Sequence, residues 1–248
     1  MIPVTSPQDL LSVFRELHRK NAVGCLISGG CDLDGAVPLE PFMEVIAEGR
    51  RDLGLKIVVH TGLLSQDTGK KLGKVGVDAA LIDVIGSDET IREIYGLKCS
   101  VKKYEKSLEI LEEESIPIVP HVLVGLHHGI LKGEFKALEI VARHKPSAVV
   151  VIGLTPVRNT AMEHCQPSSA KDIVSVIIEA RKLMPRTPIT LGCVRPKGNL
   201  RKEIDVLAVR AGVNGIAYPD SKAIALAKDL SLEYGFSDLC CSQVYEDF

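Results

Sequence analysis

The segment Val23-Gly24-Cys25-Leu26-Ile27-Ser28-Gly29-Gly30 decides how the chain is expected to fold. Its first five residues form an apolar run without polar alternation, which is typical of a parallel strand covered on both faces. The Ser-Gly-Gly that follows has small side chains, and glycine has no Cβ to keep the polar groups of a ligand away from the backbone. The segment therefore predicts a strand that ends at a candidate binding loop.

The same pattern repeats along the chain, with apolar runs separated by amphipathic helical patterns. The apolar runs are residues 23–27, 56–60, 79–85, 116–124, 148–153, 188–191 and 213–217. The helical patterns are residues 7–20, 39–53, 67–75, 101–114, 134–143, 170–183, 200–211 and 221–230. This alternation predicts one parallel α/β domain over residues 1–248, a (βα) TIM-type barrel or partial barrel. Because the first element is a helix, we expect about seven strands, with the first strand of an eight-stranded barrel missing.

Composition excludes several classes of function. Thirty basic residues nearly balance 32 acidic ones, and no block of like charge occurs, so we expect neither nucleic acid nor a membrane surface as partner. The seven cysteines are an odd number in a long chain without a secretion signal, which favours free thiols and a cytoplasmic location. No apolar run approaches the ~18 residues of a transmembrane helix.

Parallel α/β folds bind their ligands at the carboxyl ends of the strands. The candidate site residues at those ends are Ser28, Gly29, Gly30, His60, Asp83, His121, Val124, Gly125, Thr155 and Arg195. We expect them to converge on one mouth of the barrel, where they would bind a small-molecule cofactor and substrate. A cation such as Arg195, near a glycine and beside a proline, suits a carboxylate or a phosphate.

His60 and His121 close apolar runs, and three interpretations of them are open. Each is a hydrogen-bonded core histidine, a contact to substrate or a metal ligand. Together with Asp83 they would supply the imidazoles and the carboxylate of a mononuclear metal site. No H-x-H pair lies on a predicted strand, so we assign the two histidines to substrate binding and assign no metal. His127 and His128 lie in a predicted loop, and we expect both to be exposed.

In their order along the chain, the strand-end motifs resemble the radical S-adenosylmethionine (SAM) superfamily, nearest to its biotin- and lipoyl-synthase branch. The closest likeness is to the archaeal two-subunit lipoyl-synthase type. The motifs that carry it are residues 28–39, 59–62, 89–96, 120–126 and 191–198. This resemblance implies that Ser28, Gly29 and Gly30 line the methionine end of SAM. It also implies that Asp83 lies near the ribose, that Val124 and Gly125 approach the adenine, and that Thr155 lies on a loop that flanks the nucleotide.

The family's radical chemistry also needs a [4Fe–4S] cluster held by a C-x-x-x-C-x-x-C motif, which is not found in the 248 residues. Cys25 and Cys31 are spaced C-x5-C with no third cysteine nearby, and we expect no three cysteines to come together as cluster ligands. An upstream segment, with Met1 not the true start, or a protein partner is then expected to supply the cluster cysteines. A barrel without its first strand would also need a cover, which we expect to be a loop, the tail of residues 239–248 or a dimer mate.

Three hypotheses about function are open. The leading one is a radical SAM core domain whose full-length form catalyses sulfur insertion or another step of cofactor biosynthesis, and whose 248 residues alone are inactive. The second is a non-catalytic relic or accessory subunit that binds a nucleotide or a protein partner. The third is a metal-dependent TIM-barrel hydrolase or lyase.

Overall fold

Parallel strands form a single sheet in which the order across the sheet equals the order along the chain. The protein is described here by a computed structural model that covers residues 2–247, the side chain of residue 247 excepted. The strands are β1 (Gly24–Ile27), β2 (Lys56–His60), β3 (Ala79–Asp83), β4 (Ile118–Val124), β5 (Val149–Gly153), β6 (Ile189–Leu191) and β7 (Gly215–Ile216). Every one of them falls within a predicted apolar run, and β1 and β7 are the open edges of a curled half-barrel.

Helices alternate with the strands, as the amphipathic patterns predict. They are α1 (Pro7–Arg19), α2 (Met43–Leu53), α3 (Gln66–Val75), α4 (Asp88–Glu93), α5 (Val101–Glu113), α6 (Glu134–Val141), α7 (Ala170–Leu183), α8 (Gly198–Arg210) and α9 (Ser221–Asp229), with short 3₁₀ segments at Glu40–Phe42 and Cys241–Asp247. Within residues 2–247, no helix is long and apolar enough to cross a bilayer. Helix α4 is the one described α-helix that the sequence did not predict, because six residues are too few to show a helical period.

Helix α1 begins at a capping box, which explains why the chain becomes helical there. The Ser6 side chain accepts a hydrogen bond from the Asp9 N–H at 3.2 Å, and the Asp9 carboxylate accepts one from the Ser6 N–H at 3.0 Å. Pro7, at the first helical position, has no N–H that would need a partner. The helix then buries Leu10 and Phe14 in the main core.

The two faces of the sheet are covered in different ways, because successive side chains of a strand point to opposite sides. One face packs against the helices and forms the main core, which includes Ile57, Val59, Ala80, Ile82, Val122, Val124, Val149 and Val151. The other face is concave and forms a smaller cluster of Val58, Ala79, Leu81, Val119, Ala148, Val150 and Val244. His60, Asp83 and His121 lie two residues beyond Val58, Leu81 and Val119, so they belong to the concave face.

The C-terminal segment Cys241–Asp247 covers the amino-terminal half of the concave face. Val244 packs into the concave cluster, and the Tyr245 hydroxyl donates a hydrogen bond to the carbonyl of Asp78 at 3.0 Å. Lys56 forms an ion pair with Glu246. Since Lys56 begins β2 and Asp78 immediately precedes β3, the segment closes this end of the half-barrel. The tail is one of the covers expected for the gap left by the missing strand, and the structure places it on the concave face, in contact with β5, β6 and β7.

Replacing Val244 with Asp tests the docking of this segment. Burial of a valine side chain contributes about 1.5–3 kcal/mol, and an unpaired carboxylate in the same place adds a further cost. We expect the free energy of unfolding in urea to fall by at least about 2 kcal/mol. Val157→Asp is the control, because Val157 is 60% exposed, and it should change stability by less than about 0.5 kcal/mol. Equal losses in the two variants would contradict the packing of the segment.

Candidate functional site

The carboxyl ends of the strands form the mouth of the half-barrel. Most predicted site residues lie there, but His121 is in the middle of β4 and not at its end, and it is level with the mouth because it pairs with Asp83. His60, Asp83 and Val124 are the last residues of β2, β3 and β4. Ser28 directly follows β1, and Arg195 lies in the loop between β6 and α8. Because all the strands are parallel, Asp83 and Arg195 lie at the same end of the sheet, as predicted. The directions of their side chains then decide which residues meet.

The loop after β1 is pinned to the end of β2. The Val37 N–H donates to the Thr61 carbonyl at 2.9 Å, and the Leu63 N–H donates to the Gly35 carbonyl at 2.8 Å. Gly62 is required between them, because it has a φ of +61° and a Cβ there would lie 2.3 Å from the Gly35 oxygen. These contacts fix the far part of the loop.

The stretch Ser28-Gly29-Gly30 is exposed at the mouth. A Cβ on Gly30 would meet no atom within 4 Å, and one on Gly29 would meet only Val37 Cγ1, at 3.7 Å. Neither glycine has a positive φ, so the turn itself does not require glycine at these positions. The backbone is therefore open to a ligand, and the fold gives no reason of its own for the two glycines.

His60, Asp83 and His121 come together on the concave face of three neighbouring strands. His60 Nε2 lies 3.4 Å from Asp83 Oδ1, and the ring centroids of the two histidines are 6.0 Å apart. One ligand atom from each of the three residues lies within 4.8 Å of the other two. The parallel register places Asp83 opposite His121. The side chains of His60 and Asp83 are 20% and 28% exposed, so the cluster can be reached from the mouth.

The environment of the cluster keeps a negative charge beside a neutral ring. Burial lowers the pKa of His121 to about 4, although the Asp83 carboxylate opposes this shift. Burial raises the pKa of Asp83, but the hydrogen bond with His60 and the charges of both histidines outweigh burial and hold that pKa below its usual value. At neutral pH, Asp83 is therefore a carboxylate, and the His121 ring has a free electron pair to offer to a cation or to a donor group.

Arg195 departs from its expected role in substrate binding. Its guanidinium group donates to both Asp205 oxygens, at 2.7 and 2.9 Å, and to the carbonyls of Gly192 and Ala217, at 2.6 and 2.9 Å. The side chains of Arg195 and Asp205 both have an exposed fraction of 0%. The sequence shows a cation near the mouth, but the buried partner on α8 turns it away from any ligand.

We expect Arg195→Met to destabilise the fold, because it leaves the Asp205 carboxylate buried without its partner. Breaking a buried ion pair from one side costs about 3–5 kcal/mol. Arg201→Met is the matched control, since Arg201 lies 3.9 Å from the same carboxylate but its side chain is 28% exposed. The control should lose less than about 1 kcal/mol in urea unfolding. A small loss in both variants would show that the Arg195 ion pair does not hold the loops together.

The residues assigned to the adenine differ in what they can offer. Val124 has no exposed surface and faces the helices, and its carbonyl accepts hydrogen bonds from the Leu154 N–H and the Ser168 hydroxyl. The Gly125 N–H donates to the Glu134 carboxylate at 2.7 Å. The Thr155 hydroxyl makes only a long bond of 3.4 Å, to the carbonyl of Gly153. Thr155 is therefore freer to meet a ligand than Val124 or Gly125.

The Cys241 thiol lies beside two other thiols. Its interactions with Cys193 and Cys240 lower the pKa of both. The Ser242 hydroxyl donates to Cys240 Sγ at 3.2 Å. Within residues 2–247 the three thiols do not form a group that could hold one metal ion, and the expectation that no three cysteines come together as cluster ligands stays a prediction. The sequence concealed the contact because the C-terminal segment returns to β6 only in the folded chain.

The hydrogen bond from Cys241 lowers the pKa of the Cys193 thiol, so Cys193 should react rapidly as a thiolate. Cys31 is the control, because it is also exposed but lies outside the thiol cluster. Alkylation with iodoacetamide at neutral pH, followed by peptide mass spectrometry, should modify Cys193 several-fold faster than Cys31. Cys25 should react last, because burial raises its pKa to about 11. Equal rates at Cys193 and Cys31 would contradict the hydrogen-bonded thiols.

A second cluster, formed by Glu89, Glu93 and His127, was missed in the sequence. His127 is only 7% exposed, against the expected exposure, while His128 is exposed as predicted. His127 Nδ1 lies 3.2 Å from the Thr90 hydroxyl, and its Nε2 lies 3.9 Å from an oxygen of each glutamate. Both glutamates are on α4, four residues apart, so recognising that short helix would have revealed the pair.

Comparison with known proteins gives relatives but no family model that matches. The biotin synthase of Synechococcus sp. (strain CC9902) is 28% identical over 192 residues, which cover 75% of this chain and 55% of that protein. The biotin synthase of Prochlorococcus marinus is 28% identical over 222 residues, which cover 86% of this chain and 64% of that protein. The chain thus spans less than two thirds of the length of these relatives.

Solved structures share the fold at lower identity. HydG, a maturase of the [FeFe]-hydrogenase, matches with a TM-score of 0.66 at 20% identity, covering 86% of this chain and 50% of that one. Methylornithine synthase (PylB) matches with a TM-score of 0.66 at 15% identity, covering 97% of this chain and 75% of that one. The HMG-CoA lyase of Brucella melitensis matches with a TM-score of 0.60 at 10% identity, covering 98% of this chain and 91% of that one.

Fold and mouth together define a parallel α/β half-barrel of the TIM type with a candidate ligand site at the carboxyl ends of its strands. Within this class, the sequence similarity to biotin synthases supports a relationship to the biotin-synthase-like branch of the radical SAM superfamily.

Proposed function

We propose that residues 1–248 form a single radical-SAM-core-like domain that binds SAM at the mouth of the half-barrel. The observation that carries this proposal is the exposed Ser28-Gly29-Gly30 stretch, with open space where a Gly30 side chain would lie. Glycine lets the polar methionine end of SAM reach the backbone. The biotin synthase relatives support the same assignment.

The other contacts follow from the positions around the mouth. Asp83 offers a carboxylate that could accept hydrogen bonds from the ribose hydroxyls. Thr155 offers a hydroxyl to the nucleotide. Gly125 would contribute through shape, because its N–H already has a partner, and Val124, which has no exposed surface, would only position the end of β4. His60 and His121 face the concave side, where a small-molecule substrate would lie beyond the cofactor.

The thiols of residues 2–247 do not fit a [4Fe–4S] cluster. Each thiolate of such a cluster binds a separate iron atom. Cys241 instead interacts directly with Cys193 and Cys240, and Cys25 packs against the main core. We therefore propose that an upstream segment or a protein partner carries the cluster. SAM bound next to such a cluster supplies a carbon radical, and the described residues supply its binding and orientation.

The reaction class that fits best is SAM-dependent radical chemistry, such as sulfur insertion into an acyl chain or another step of cofactor biosynthesis. The likeness to the archaeal two-subunit lipoyl-synthase type favours the acyl-chain version and a two-protein assembly. The seven free cysteines fit a reducing compartment such as the cytoplasm. The alternative is a nucleotide-binding accessory subunit. It would have the same SAM site, and it differs only in that the full assembly would not catalyse a reaction.

Calorimetric titration of the chain with SAM, compared between two glycine variants, tests the site. Gly30→Val should bind SAM at least about tenfold more weakly, a loss of about 1.4 kcal/mol in binding free energy. The valine side chain would occupy the open space in which SAM is proposed to bind. Gly235→Val is the matched control, since a Cβ there also meets nothing within 4 Å and lies outside the mouth. Both variants should unfold at the wild-type urea concentration. Equal SAM affinity in Gly30→Val and wild type, or no binding by the wild type, would refute the proposal.

A further inference from the structure

The cluster of His60, Asp83 and His121 has the composition of a transition-metal site. Two imidazoles and one carboxylate suit zinc, iron, cobalt or manganese better than magnesium or calcium, which prefer oxygen ligands. The three side chains come from adjacent parallel strands, so their positions are fixed by the backbone of the sheet. A set built on strands is held more rigidly than one built on loops.

The spacing of the ligand atoms fits such an ion. With metal–nitrogen and metal–oxygen bonds of about 2.0–2.2 Å, neighbouring ligands of a tetrahedral zinc site lie about 3.3 Å apart. His60 Nε2 and Asp83 Oδ1 are 3.4 Å apart. The third ligand atom, from His121, lies within 4.8 Å of both, so the three side chains converge on one point and would close further around a bound ion.

A purely structural role for these histidines explains less. A core histidine is held by hydrogen bonds, because a buried polar atom without a partner costs about 1–3 kcal/mol. His121 Nδ1 is buried and has no hydrogen-bond partner within residues 2–247. The nearest partner of the Asp83 carboxylate is His60 Nε2, at 3.4 Å. A bound cation would compensate the charge of this partly buried carboxylate and give the His121 nitrogen a partner.

We propose that His60, Asp83 and His121 bind one divalent transition-metal ion at the concave mouth of the half-barrel. Three protein ligands leave at least one coordination position for water or for an oxygen of the substrate, as in catalytic rather than structural metal sites. The partial exposure of His60 and Asp83 gives the ion a path from solvent. This site does not depend on SAM or on an iron–sulfur cluster. Asp83 is shared with the proposed SAM site, so the two ligands are tested separately.

Titration of the metal-free chain with Co²⁺ in the absence of SAM, followed by visible absorption and calorimetry, tests the site. The wild type should bind one Co²⁺ through nitrogen and oxygen ligands, without the charge-transfer absorption of thiolate ligation. His60→Ala, Asp83→Asn and His121→Ala should each weaken binding at least about 100-fold. Urea unfolding without metal checks that each variant folds, and His60→Ala at the open mouth decides the test if His121→Ala does not fold.

Two controls separate this cluster from the other ligand groups of the chain. Cys193→Ala removes a thiol of the cysteine cluster, and His127→Ala removes the imidazole beside Glu89 and Glu93. Both should bind Co²⁺ as tightly as the wild type. Gly30→Val should also keep Co²⁺ while losing SAM, so failure of one proposal leaves the other intact. Full Co²⁺ affinity in His60→Ala, or loss of Co²⁺ in Cys193→Ala or His127→Ala, would overturn the proposed site.

Discussion

Parallel pairing of the strands in chain order is the constraint on which the rest of the structure depends. After each strand, the chain must cross back to the amino end of the sheet before the next parallel strand begins. Right-handed crossovers place the helices that make this return on one face of the sheet. That face becomes the main core, while the opposite face is left without helices. The carboxyl ends of all the strands then lie at the same end of the sheet. Residues as distant in sequence as Ser28 and Arg195 therefore lie at the same mouth.

The concave face has an apolar part that packs against the C-terminal segment and a polar part that is open to a ligand. Toward the amino ends of the strands it has Val58, Leu81 and Val119, and Val244 of the C-terminal segment packs against them. Two residues further along the same strands come His60, Asp83 and His121. Because the C-terminal segment covers the amino ends, these polar side chains are left open toward the mouth. The period of two along a strand thus separates an apolar floor from a polar opening.

Arg195 illustrates a different contribution to the mouth. Its guanidinium joins the loop after β6, through the Gly192 carbonyl, to the loop after β7, through the Ala217 carbonyl. Asp205 on α8 pairs with it and also accepts a hydrogen bond from the Asp220 N–H at 2.9 Å. The buried pair therefore holds two strand-end loops against one helix, and it positions the backbone that carries Cys193. Arg195 acts on the site through this backbone and not through a ligand.

The sequence predicts the strands well because a strand covered on both faces is a bare apolar run, and these short runs alternate with clearly amphipathic helical patterns. Prediction from the sequence fails where a local pattern is too short, or where the contact partner of a residue is distant in the sequence. Helix α4 has only six residues, so neither the helix nor the burial of His127 beside it could be predicted. Arg195 gave a local signal for anion binding, and only the folded chain shows Asp205, ten residues further on, as its partner. The thiol contact joins Cys193 to the C-terminal segment, which no periodicity connects.

The fold alone does not determine the reaction, since HydG, methylornithine synthase and an HMG-CoA lyase share it. The choice depends on which atoms meet at the mouth. Ser28-Gly29-Gly30 follows β1, and His60, Asp83 and His121 lie on the next three strands of the sheet. Open backbone on one edge strand and an imidazole–carboxylate set beside it form adjacent, chemically different surfaces. The first suits the charged end of a cofactor, and the second suits a cation with free coordination positions. A substrate that enters the concave face would therefore meet both.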